Sequence, residues 1–279
     1  MSKNILLFSI SLIFITLAAT AQEERERPRD SFYDRMSVAE RRPVELPYVR
    51  EADVLWSKRI WQYIDVRKTM NQPLYFPERP SGGYRNLMQV LEDAIRAGEV
   101  RAYGVDDDSF EREPFDPVEL FDNILSRVEV IVIEGQEVEE VIPFRTSEVL
   151  VFRIKEEWFI DQRRGVLDVR IIGLSPARLV RDEETGRYTD IQDPLFWVPF
   201  EEARTALANA PVVNRRNDKM VKSFDDLFIR RFFDATVYRE DRPDNRAIRE
   251  YIDNPMDRLL EAQRIMEEIR NFELDLWQH

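Results

Sequence analysis

In Val166-Leu167-Asp168-Val169-Arg170-Ile171-Ile172-Gly173, apolar Leu167, Val169 and Ile171 alternate with charged Asp168 and Arg170. That is the period of two expected of a half-buried strand with one wet face. Working back, Ser147 to Ile160 reads as a second strand, joined to the first through Asp161-Gln162-Arg163-Arg164-Gly165. Further upstream, Val128-Glu129-Val130-Ile131-Val132-Ile133 is a strand that ends in the turn Glu134-Gly135-Gln136, with Glu134 to Glu140 as a solvated hairpin end. Working forward, Arg178 to Arg181 and Arg187 to Asp190 flank Glu184-Thr185-Gly186, a hairpin turn. Phe196-Trp197-Val198-Pro199-Phe200 is a last short strand, which Pro199 confines to an edge or an end.

Helical patterns lie on both sides of this block. Residues 53–69 are expected to form a helix: at 100° per residue Val54, Trp56, Ile60, Trp61, Tyr63 and Ile64 share about half the circumference, with Asp53 as N-cap and Lys58, Gln62 and Asp65 facing away. A second helix over 84–97 turns Leu87, Val90, Leu91, Ala94 and Ile95 inward and closes at Gly98. A short helix is expected over Asp116 to Leu125, another over Phe224 to Ala235 after the capping Ser223, and a long one over Pro255 to Trp277. The last has a narrow stripe of Leu259, Ala262, Met266, Ile269, Phe272 and Leu276, so it packs on one side only. A weak echo relates 53–61 to 225–233; amphipathic patterning alone produces such matches. The fold expected is α+β, with helices at both ends flanking a central, mainly antiparallel sheet. Within 51–279 it is helical over 51–126, sheet-rich over 127–200 and helical over 201–279.

The first residues carry an export signature. Lys3 precedes an apolar run from Ile5 to Leu17, and Ala19-Thr20-Ala21 supplies the small residues of a signal-peptidase site. The run is short for a bilayer span, so 1–21 reads as a removable signal peptide. The sequence contains no cysteine. It therefore has no lipid-attachment residue, no disulfide and no thiolate nucleophile or ligand. A fixed place in the envelope would have to come from another protein. Residues 22–50 read as an extended or disordered arm. In it Pro43 and Pro47 forbid helix, while Val44, Leu46 and Tyr48 are apolar enough to need cover. Pro43, Val44, Leu46, Pro47 and Tyr48 are the candidate partner-binding residues, on the expectation that this segment lies along a neighbouring molecule.

The formal net charge is −13, one unit more negative once Lys3 leaves with the signal peptide. Such a chain is repelled by phosphate backbones and anionic lipid heads, which argues against nucleic-acid binding and direct membrane insertion. The only histidine is His279, which removes histidine-based triads and histidine-ligated zinc. Nucleotide-binding and nucleophile-elbow motifs are absent. With 54 acidic side chains, no carboxylate pair stands out for hydrolysis. Asp106-Asp107-Asp108 lacks the alternating spacing and glycine of an EF-hand loop and is expected to be solvated. Trp56 and Trp61, both on the apolar arc, are expected in the core. No catalytic, cofactor-binding or metal site is assigned.

Two blocks are more specific than amphipathicity. The first runs Arg41-Arg42-Pro43-Val44-Glu45-Leu46-Pro47-Tyr48-Val49-Arg50-Glu51-Ala52-Asp53-Val54-Leu55-Trp56-Ser57-Lys58-Arg59-Ile60-Trp61-Gln62-Tyr63-Ile64-Asp65, followed by Asn71-Gln72-Pro73-Leu74-Tyr75-Phe76-Pro77. The second is Trp158-Phe159-Ile160-Asp161 with Val166 to Gly173. Together they resemble the GldN/PorN family, gliding-motility and type IX secretion proteins of the Bacteroidetes, over about 41–277. The resemblance implies a non-enzymatic periplasmic structural subunit that self-associates in a ring, partners a K-type outer-membrane lipoprotein, and meets the periplasmic region of an M-type inner-membrane protein. The alternatives are a periplasmic carboxylate-dependent hydrolase, which needs a buried acid pair facing a cleft, and a soluble ligand-binding module, which needs a deep apolar pocket.

Overall fold

A computed structural model describes residues 41–133, 136–182, 185–213, 222–244 and 246–276, all within one unit, Val38–His279. The expected signal peptide, the arm over 22–40 and the Glu134-Gly135 turn lie outside the described residues. The strands are β1 (Val54–Asp65), β2 (Arg127–Ile133), β3 (Gln136–Ile142), β4 (Val149–Asp161), β5 (Val166–Arg181), β6 (Tyr188–Pro194), β7 (Val198–Pro199) and β8 (Thr236–Glu240). The helices are α1 (Gln72–Tyr75), α2 (Leu87–Arg96), α3 (Phe200–Ala208), α4 (Phe224–Ile229) and α5 (Pro255–Leu276). The main sheet is antiparallel in the order β6-β5-β4-β1-β8, with β7 paired to β5, while β2 and β3 form a separate hairpin. The fold is α+β, with helices toward both ends of the chain around an antiparallel sheet.

The largest correction concerns 53–69. This stretch is strand β1, at the heart of the sheet between β4 and β8. Asp53 closes a short 3-10 turn, Glu51–Asp53, where Arg50 Nε donates to it at 2.8 Å. Lys58 and Gln62, expected to face solvent, point into the protein. Lys58 Nζ pairs with Glu240 at 2.7 Å, and Gln62 Nε2 donates to buried Glu156 at 2.6 Å. Read with a period of two, Trp56, Ile60 and Ile64 share one face and Arg59, Trp61, Tyr63 and Asp65 the other. Two polar residues on the buried face hid that alternation. The β-branched and aromatic content of Val54, Trp56, Ile60, Trp61, Tyr63 and Ile64 is what favours the strand. The echo at 225–233 falls on helix α4, so the two stretches are not a structural repeat.

Other elements follow the sequence more closely. Asn86 caps α2 in a full capping box with Gln89, and Gly98 (φ +74°) turns the chain out of it. Asp116 accepts from the backbone of Val118 and Glu119 at the entry to a π-helical turn, Glu119–Ile124, where a short helix was expected. The helix expected over Phe224 to Ala235 ends at Ile229, because the chain must turn into β8 by Thr236. Strand β5 runs past Gly173 to Arg181. A Cβ at Gly173 would lie 2.9 Å from Phe110 Cζ and 3.2 Å from Trp197 Cε3, so glycine there admits both rings.

One face of the sheet packs on helices. Ile64, Phe152, Ile154 and Leu174 join Leu87 and Leu91 of α2, Phe200 and Leu207 of α3, and Phe224 and Phe228 of α4 in the main core. At the other end Ile60 and Val237 meet Ala262, Ile265 and Ile269 of α5. Trp56 stacks on Phe272 with ring centroids 4.8 Å apart, a contact worth about 1 kcal/mol beyond its burial. Between these clusters lies a buried polar knot. Glu156, fully buried, takes Arg231 Nη1 at 2.6 Å, Gln62 Nε2 at 2.6 Å and Trp158 Nε1 at 3.1 Å.

Candidate functional site

The candidate partner-binding residues Pro43, Val44, Leu46, Pro47 and Tyr48 lie on the arm. Residues 41–50 are extended without strand pairing, as two prolines four apart dictate. The segment lies on its own chain and is held chiefly through its backbone. Val44 N–H donates to Asp225 Oδ2 at 3.4 Å, Arg204 Nη2 donates to the Val44 carbonyl, and Arg170 Nη2 donates to the Pro47 carbonyl at 3.2 Å. Arg41 adds an ion pair to Asp226 at 3.2 Å. Beneath it, Arg204 of α3 and Asp225 of α4 form a buried pair at 3.0 Å. Arg204 therefore serves helix packing and arm docking together. Pro43 and Leu46 are half-buried and line an opening with Glu201, Thr205 and Asn209. Val44, Pro47 and Tyr48 face outward, Val44 at 52% and Tyr48 at 85% exposure. The structure thus brings the arm's backbone to the protein and leaves two of its largest apolar side chains uncovered.

A second site was not legible in the sequence. The odd-numbered face of β1, with β4, β8 and the segments around 105–109 and 247–259, bounds a cleft of about 900 Å³. Its floor is aromatic and cationic. Trp61 lies beneath Arg239, whose guanidinium sits 3.7 Å from the ring centre, with Lys155 Nζ at 5.7 Å. Asp108 ties these together: Trp61 Nε1 donates to it at 2.8 Å, Arg239 Nη2 at 2.6 Å and Lys155 Nζ at 3.3 Å. Burial pushes the Asp108 carboxyl up, but Lys155 and Arg239 override it and hold the group below the ordinary carboxylate range. Lys155 is drawn below the ordinary lysine value by burial, which one shared carboxylate does not offset. Arg153 lies over Tyr238 at 5.2 Å and donates from Nε and Nη2 to the Gln192 side chain and carbonyl at 2.8 and 3.2 Å.

The acidic triplet therefore behaves differently from expectation. Only Asp106 is solvated. Asp107 is buried and accepts from the backbone N–H of Glu111 and Arg112 at 3.1 and 2.9 Å, pinning the loop. Asp108 is the hub of the cleft. Among the described residues no group of three or more acidic or histidine side chains could hold a metal ion. Trp61 is buried as expected, packing with Tyr103 and Trp197 on the cleft side of the sheet, while Trp56 packs on the opposite face. Of the acids lining the cleft, Asp65 and Asp108 pair with bases, and its walls are polar. The spacing signal available in sequence was Arg153 and Lys155 two apart on one strand, but the remaining cations come from distant segments.

The family model described as "Gliding motility associated protein GldN" matches residues 49–278. No curated protein matches the chain. Among the described residues no helix is long and apolar enough to cross a membrane.

Proposed function

The chain belongs to the GldN family of gliding-motility-associated proteins, a component of the gliding and type IX secretion apparatus, and from that premise we propose that it is a non-enzymatic periplasmic subunit of that machine. The single observation that carries the reading is the family match over 49–278. On this reading 1–21 is removed after Ala21, the arm over 22–50 precedes the folded ring-subunit domain at 51–279, and a K-type lipoprotein holds the cysteine-free chain at the outer membrane. The periplasmic region of an M-type inner-membrane protein meets the ring from the other side.

Two features of the surface support a head-to-tail assembly, in which unlike patches must meet. One is the arm, where Val44 and Tyr48 are exposed beside half-buried Pro43 and Leu46, and Pro47 is exposed. The other is the start of α5, where Met256, Leu259 and Leu260 are exposed. The candidate residues Pro43 to Tyr48 lie just before the matched region. The test is to express the chain with the lipoprotein and isolate either one. The complex should assemble with both intact, and the lipoprotein should lose this chain when 22–50 are deleted. A deletion that assembles normally would count against the arm, and no association in either form would count against the partner.

A further inference from the structure

We propose that the cleft bounded by β1, β4 and β8 binds a carboxylate-terminated ligand of peptide type, with Arg153 as its anchor. The inference goes beyond the assembly role and does not depend on it. The chain is acidic overall, yet the half-buried and buried charges lining the cleft are Arg59, Arg153, Lys155, Arg239 and Arg258 against two carboxylates, Asp108 and the Arg67-paired Asp65. Asp108 is already shared by Lys155 and Arg239. Arg153 has no carboxylate within ion-pairing distance among the described residues; its bonds go to Gln192, and its Nη1 makes none. Two further donors, Nε of Arg59 and Nε of Arg239, are buried without a partner. A partly buried guanidinium without a counter-ion is costly, and an entering anion removes that cost.

The lining narrows the ligand. A guanidinium fork fits the two oxygens of a carboxylate. Asp106, Asp190, Asp241 and Glu250 are all exposed and also line the cleft. They repel a polyanion and tolerate a body that is neutral or cationic behind a single leading anion. Half-buried Tyr63 and Tyr238 supply aromatic surface for that body, with buried Trp61 and Trp197 behind the cleft wall. About 900 Å³ is at the upper end of small-ligand sites and takes several residues of peptide. A free carboxylate small molecule and the C-terminus of a peptide share this chemistry, and size separates them.

The experiment titrates the intact protein with tri-alanine free acid, tri-alanine amide, acetate and inorganic phosphate, followed by calorimetry and by the fluorescence of the tryptophans. The free acid should bind at least tenfold more tightly than the amide and than acetate, with affinity falling as salt rises. Arg153→Gln should lose at least tenfold, and Arg153→Lys should retain part of the binding. Arg153→Gln gives up its bonds to Gln192 and should unfold somewhat lower than the parent, whereas Gln192→Ala, which removes the Gln192 side-chain acceptor of Arg153 Nε but keeps the guanidinium, should retain binding, which a purely structural Arg153 would not allow. Equal binding of acid and amide, binding unchanged by Arg153→Gln, or no binding overturns the proposal. Tighter binding of phosphate overturns the carboxylate, and equal binding of acetate overturns the peptide.

Discussion

Replacing Arg231 should destabilise the protein more than its half-exposed position suggests. Its guanidinium donates to Glu156 at 2.6 and 3.3 Å, and Glu156 is fully buried in the middle of the sheet. Arg231→Ala leaves that carboxylate with two neutral donors, Gln62 and Trp158. Removing one partner of a buried pair costs about 3–5 kcal/mol; the two remaining bonds place the expected loss near the low end, at roughly 3 kcal/mol. Arg231 also sits at φ +56°, a left-handed conformation that costs a side-chain-bearing residue about 1–2 kcal/mol and glycine nearly nothing. Arg231→Gly should therefore be more stable than Arg231→Ala by about 1 kcal/mol, the reverse of the usual order in regular structure. Adding Glu156→Gln to Arg231→Ala should recover stability, since the uncompensated charge is gone. Urea unfolding of the intact protein measures all three. At about 2–4 °C per kcal/mol for a domain of this size, Arg231→Ala lowers Tm by about 6–12 °C. An Arg231→Ala variant within 0.5 kcal/mol of the parent, or a double variant weaker than the single one, would refute the reasoning.

Other outcomes follow from the same geometry. Gly173→Ala forces a Cβ to 2.9 Å from Phe110 and 3.2 Å from Trp197, so it should cost about 1–3 kcal/mol in urea unfolding and shift the near-ultraviolet tryptophan signal. Asp108 has its folded pKa lowered, so its contribution is complete above the ordinary aspartate value near 3.9 and is lost as pH falls through the folded one. Thermal melts should hold from pH 7 to about 5 and drop below about 4, and Asp108→Asn should be weaker at neutral pH with a shallower acid limb. Arg204→Ala should both destabilise, because Asp225 loses its buried partner, and free the arm, because the Val44 carbonyl loses its donor. Limited proteolysis near residues 41–50 should then accelerate well before global unfolding.

The parts of the fold legible in sequence are those whose faces are chemically pure. Strand β5 alternates from Leu167 to Ile171 and α2 carries a clean stripe with its cap and closing glycine, while β4 is legible through the apolar runs at its two ends in spite of buried Lys155 and Glu156 between them. Strand β1 failed because its buried face includes Lys58 and Gln62, which are satisfied by Glu240 and Glu156 from other strands. A helical projection accommodated those polar positions better than a period of two did, and no local pattern announces partners that lie far along the chain, 94 residues away in the case of Gln62 and Glu156. The same reason conceals the cleft. Trp61, Asp108, Arg153, Lys155 and Arg239 come from four segments that only strand pairing unites. The arm was legible because prolines act locally. Its docking onto Arg204 and Asp225 was not, since Arg204 sits in an amphipathic helix where an arginine normally faces water.

On the proposed function this chain is a subunit of the gliding and secretion apparatus that another protein holds in place. The most direct measurement is quantitative fractionation of envelopes from cells with and without the outer-membrane lipoprotein partner. With the partner present, the chain should sediment with outer membranes and co-isolate with the lipoprotein; without it, the chain should appear in the soluble periplasmic fraction or be degraded. Sedimentation with outer membranes that is unchanged when the lipoprotein is missing would contradict the account.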